Sequence, residues 1–139
     1  MVNKLLLLTI ALFIFLFQSC VDMKDTFNSK ELVSSMGEKI YINSLNYGMT
    51  DDNQYTIISK DSNKLKERAD TANSIKGIIP FIYRFEKDIL YLFYLKEKDI
   101  VVRDCFESIK ISYNPLENRD YINLINKTGK GEGGYQLVP

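Results

Sequence analysis

Residues 89–95 read Ile-Leu-Tyr-Leu-Phe-Tyr-Leu, an unbroken apolar and aromatic run between two charged breaks, Glu86-Lys87-Asp88 and Lys96 to Asp99. In an extended chain successive side chains point to opposite faces, so Ile89, Tyr91, Phe93 and Leu95 look one way and Leu90, Leu92 and Tyr94 the other. A strand that is apolar on both faces belongs in the middle of a sheet that is covered on both sides. Around it, Phe81, Tyr83 and Phe85 alternate with Ile82 and Arg84, and Pro80 suits the start of that strand. Ile100 to Cys105 forms another apolar run. Ile109, Ile111 and Tyr113 alternate with Lys110 and Ser112, as in a half-buried strand nearer an edge. Residues 78–113 are thus expected to form an antiparallel meander.

Upstream, Ile40 and Ile42 alternate with Lys39 and Asn43, and Tyr55 and Ile57 fall on one side of Gln54 to Ser59, which predicts two strands around a loop over Asn46 to Asn53. Lys60 to Asn73 is charged and reads as a long exposed loop. Downstream the period changes. Asn114 is placed as an N-cap, Pro115 as the first helical residue and Glu117 as the third, while Lys127 and Gly129 supply a terminal charge and a stop. These signals predict a helix over 115–127, with Tyr121, Leu124 and Ile125 on its apolar face. Tyr135 to Val138 is expected to add a short last strand. The fold class is α+β, mainly β, an antiparallel meander sheet of about five to seven strands with one C-terminal helix packed on it. Residues 37–139 are long enough to build one domain with its own core.

The head of the chain has another character. Lys4 precedes the apolar run Leu5 to Phe17, and Gln18-Ser19-Cys20 follows. This is the layout of an export signal over residues 1–19, and the run falls short of the about 20 apolar residues that span a bilayer. Phe17-Gln18-Ser19-Cys20 resembles the lipobox of bacterial lipoprotein precursors, with Phe17 and Gln18 in the looser form similar to those of small Bacteroidota lipoproteins. The resemblance implies cleavage before Cys20, a diacylglycerol on its sulfur and a further acyl chain, such as palmitate, on its amine. Two or three chains on one residue meet the two-signal requirement for stable anchoring. Residues 20–36 are then expected to be a lipidated N-terminus and tether, in which Ser29 could cap a short helical turn bearing Leu32 and Met36. Lys24-Asp25 resembles the charged signals that follow the acylated Cys in some outer-membrane lipoproteins. A plain signal peptide with a disulfide between Cys20 and Cys105, the only two cysteines, is the other arrangement this chain allows.

The chain carries 18 basic and 18 acidic residues; loss of Lys4 with the signal leaves 17 against 18. That balance offers no electrostatic footprint for nucleic acid and no polybasic patch for anionic lipid, so membrane attachment is assigned to acylated Cys20. The sequence has no His, which removes the commonest general base and the imidazole ligands of most zinc sites. Cys105 is expected to be a buried, inert thiol beside Phe106. Gly129 to Gly134 lacks the spacing of a phosphate loop, and Asp51-Asp52-Asn53 lacks that of a calcium loop. No cofactor or metal is expected. Carboxylate pairs in charged turns, such as Asp99 with Asp104 or Glu86 with Asp88, are candidates for acid–base work, with solvation as their ordinary explanation. Tyr47, Lys64, Lys66, Arg68 and Tyr135 are the candidate partner contacts. The expected function is that of a non-enzymatic, lipid-anchored envelope protein, on the outer membrane, whose domain binds a protein partner. One form of this is an immunity protein against a delivered toxin. A small envelope hydrolase and a structural subunit of an envelope complex are the alternatives.

Overall fold

The computed structural model describes residues 24–48 and 53–139; the signal segment, Cys20 and Asp51-Asp52 lie outside the described residues. Strands β1 (Thr26–Val33), β2 (Lys39–Tyr47), β3 (Asn53–Ser59) and β4 (Ile75–Lys76) form one antiparallel sheet in that order. A second sheet runs β7-β6-β5-β8, from β5 (Ile82–Glu86), β6 (Ile89–Leu95), β7 (Lys110–Leu116) and β8 (Gln136–Leu137). Helix α1 (Asn118–Gly129) follows β7. Among the described residues the protein is therefore mainly β with one long helix, but the eight strands lie in two sheets.

The sheets meet across one apolar cluster. Ile40, Ile42 and Ile58 of the first sheet pack with Tyr83, Leu90 and Leu92 of the second, together with Phe81, Ile100 and Ile109. On the far face of the second sheet, Tyr121 and Leu124 of α1 lie on Ile82, with Phe93, Leu95 and Leu116 around them. The central strand is β6, and its apolar side chains are covered on both faces, as its sequence requires. The far face of the first sheet is covered by its own loop. Asn43 Nδ2 donates to the carbonyls of Asp61 and Lys64, both at 2.9 Å, and Leu45 and Leu65 are fully buried.

Five expectations are corrected. The meander fails at β7, which pairs parallel to β6, Ile89 opposite Lys110 through Leu95 opposite Leu116. Residues 96–109 carry the chain back to the start of β6, because parallel neighbours need a crossover. Ile100 to Cys105 is consequently not a strand; Ile100 is buried and Val102 packs on the core with no ladder partner. Residues 26–33 form β1 rather than a tether or helical turn. The strand is polar because it is an edge, exposed along most of its length, and its pairing with β2 runs from Thr26 opposite Asn46 to Val33 opposite Lys39. The helix begins at Asn118, since Asn114 and Pro115 remain in β7. There Asn114 Nδ2 donates to the carbonyls of Leu92 and Ser112, and Pro115 occupies an edge strand, where a missing N–H is tolerated. Finally, Cys105 is an exposed free thiol, since the crossover holding it runs over the surface.

Candidate partner-binding surface

A row of charged and aromatic side chains crosses the outer face of the first sheet. It starts at Asp25, just before β1, whose carboxylate accepts from Arg68 Nε at 2.8 Å and from Nη2 at 2.5 Å. Arg68, in a short 3-10 turn (Arg68–Thr71), lays its guanidinium 4.5 Å over the ring of Tyr47 at the end of β2. Tyr47 stacks on Tyr55 of β3 with centroids 5.6 Å apart and planes within 7°. Lys76 of β4 places its ammonium 5.7 Å from the Tyr55 centroid. Tyr47 pairs with Asn53, so Tyr55 is its diagonal neighbour on the same face, within reach of an aromatic ring.

The electrostatics follow the row. Hydrogen bonding to Arg68 holds the Asp25 carboxyl below its ordinary range and raises Arg68 in turn. Contact with Tyr55 raises the Tyr47 hydroxyl, whereas the same contact, and then Lys76, lowers that of Tyr55. Arg68 is more than half exposed, so its ion pair contributes little to stability by itself. What the row provides is a preorganised surface of Arg, Tyr and Lys.

Of the candidate contacts, Tyr47 and Arg68 are brought together here. Lys64 lies on the same covering loop, 3.9 Å from Asp70, and Lys66 is exposed nearby in sequence but outside the row. Tyr135 belongs to the other sheet. Its ring meets Phe93 edge-on at 5.4 Å and lies 5.3 Å from the guanidinium of Arg84, which Tyr91 flanks on its other side at 5.0 Å. The sequence does not single out Tyr55, which alternates with Ile57 as a core position does, or Lys76, which reaches Tyr55 only through the β3–β4 pairing.

One acid of each pair holds a loop. Asp104 accepts from Ser59 Oγ at 2.9 Å and from the Lys60 amide at 2.7 Å. Asp88 accepts from the amide and hydroxyl of Ser35, which lowers its pKa. Lys87 and Asp88 both have positive φ, the backbone of a two-residue hairpin turn between β5 and β6. No group of three or more acidic or cysteine ligands gathers among the described residues. Compared with models of known families, with curated proteins and with solved structures, the chain matches none.

Proposed function

We propose that the protein is an envelope lipoprotein, held at the outer membrane through acylated Cys20, whose domain binds a protein partner and performs no catalysis. The observation that carries this reading is the Arg68-Tyr47-Tyr55-Lys76 row. Arg and Tyr are the residue types that dominate binding energy at protein interfaces, and here three strands and a loop hold them in one arrangement before any partner arrives. Within this reading the particular role we favour is that of an immunity protein that captures a delivered toxin, a role suited to a small anchored β domain. The test is retention of partners from the source organism by the unlipidated Cys20→Ser protein, compared with Arg68→Ala and Tyr55→Ala variants. Each truncation at a central contact is expected to weaken the retained complex by about 2 kcal/mol or more, roughly thirtyfold. Equal retention by both variants removes the row as the interface. For the immunity role, unchanged toxin sensitivity after deletion of the gene would count against it.

A further inference from the structure

Beside the aromatic row lies a cleft of about 340 Å³ between the end of the covering loop and the crossover. Lys76, Lys98 and Arg103 line it together with one acid, Asp99, so the cations are in excess. Among the described residues, none of the three cations lies within 4 Å of a carboxylate. Glu97, Asp99 and Asp104 are the nearest acids in sequence, and Asp104 is already turned to Ser59 and Lys60. The ammonium of Lys98 is packed close to Gly77, 3.2 Å from where a Cβ would stand; with φ at +130° the glycine provides both the turn and the space. Two apolar side chains line the cleft, the half-buried Ile75 and Val101, which is 53% exposed. Lys76 belongs to both the cleft and the aromatic row, so the two surfaces are continuous.

We infer that this cleft is a receptor for an acidic segment of a protein, whose Asp or Glu side chains neutralise Lys76, Lys98 and Arg103 while neighbouring apolar groups cover Val101. The inference rests on the partner-binding reading and gives that partner a chemistry. Apolar surface among the cations selects a protein segment over a small anion. Asn73, Ser74, Lys76, Lys98, Asp99 and Arg103 supply a polar, cationic lining that suits any anion. The exposed Val101 gives it an apolar contact that a peptide can cover and a free oxyanion cannot. Complementary charge of this kind steers encounter and fixes register.

The experiment uses the full chain in uncharged detergent micelles and a fluorescent hexaglutamate peptide, with hexaglutamine as control, followed by anisotropy. Hexaglutamate is expected to bind at least tenfold more tightly than hexaglutamine, with affinity falling as salt is raised. Lys98→Glu with Arg103→Glu should abolish that preference, and the milder Lys98→Gln with Arg103→Gln should reduce it at least fivefold while keeping the native circular dichroism spectrum. Lys30→Glu with Lys127→Glu changes the net charge equally at distant sites and should leave binding unchanged. The cleft is rejected if both charge reversals act alike, if the two peptides bind alike, or if inorganic pyrophosphate binds through Lys98 and Arg103 while hexaglutamate does not. A protein partner whose retention survives the Lys98 and Arg103 reversal also overturns the inference, yet leaves the partner-binding reading intact. Hexaglutamate binding lost on the same reversal, with no protein retained from the source organism, supports the cleft and sinks the broader reading.

Discussion

Two side chains show how single residues hold this fold. Glu38, after the β1–β2 turn, is 17% exposed and accepts from the amides of Glu107, Ser108 and Ile109 and from Ser108 Oγ, with Lys60 at 3.4 Å. The amides of Ser108 and Glu107 are the largest influences on its carboxyl, which is brought from 4.5 down to about 2. A depressed carboxyl stabilises the fold fully above its unfolded pKa and loses that contribution as pH falls towards the folded one. Stability should therefore decline between pH 4.5 and about 2, and Glu38→Gln should be weaker above pH 4.5 and flatter below it. Urea titrations across that window will read the difference; parallel curves for both proteins would show that Glu38 carries no such linkage. Leu65 is fully buried although its φ is +76°, so burial holds a backbone that an L-residue disfavours. Leu65→Ala is expected to cost about 2–5 kcal/mol through the cavity it leaves. Leu65→Gly should be the milder by about 1 kcal/mol, since glycine removes the positive-φ penalty. Denaturation midpoints that rank glycine below alanine would refute this account of the strain.

The covering loop behaves as an element because one side chain ties it down. Asn43 is fully buried, accepts from Ser29 Oγ at 2.6 Å and donates twice into the loop. Asn43→Ala leaves the Asp61 and Lys64 carbonyls unpaired, at about 1–3 kcal/mol. Hydrogen exchange should then quicken over residues 61–71 while β6 keeps its protection; an unchanged loop would mean that Leu65 alone holds it. None of this was legible beforehand, because charge density over Lys60 to Asn73 marks solvent exposure and conceals one inward leucine. By contrast β6 was legible, since seven apolar residues in register admit only a covered central strand. The partner of β6 was not: Ile111 and Tyr113 present the same alternation to a parallel neighbour as to an antiparallel one. Residues 100–103 alternate for burial, not for pairing, with Ile100 and Val102 inward and Val101 and Arg103 outward. Pro115 misplaced the helix start because an edge strand and a first helical turn both tolerate a missing N–H. The actual stop is Gly131 at φ +71°, after Lys130 has closed on the Lys127 carbonyl at 3.1 Å. At the candidate site, Tyr47 and Arg68 were legible as loop-side residues, but their juxtaposition with Tyr55 and Lys76 depends on hairpin register and a sheet edge.

For the whole molecule, the early start of β1 changes what anchoring would mean. If Cys20 carries acyl chains, the link to Thr26 spans at most about 20 Å when fully extended. The domain would then sit against the lipid by the end that bears Asp25, Tyr47 and Arg68. The opposite end, at the β1–β2 turn with Met36 at 83% exposed, would lie further out by the eight residues of β1, about 27 Å. A partner that uses the aromatic row would have to approach alongside the membrane, which favours other membrane-associated or membrane-directed proteins over freely diffusing ones. The anchor has a direct readout in mass, because the mature protein should exceed residues 20–139 by its acyl chains, and Cys20→Ser should move from the membrane pellet to the soluble fraction. The orientation has its own readout. In a Cys105→Ser background, a fluorophore on Lys24→Cys should be quenched by spin-labelled lipid headgroups, and one on Met36→Cys should not. Equal quenching at both positions would lay β1 flat on the bilayer and overturn the end-on orientation, because Met36 would then lie as near the lipid as Lys24.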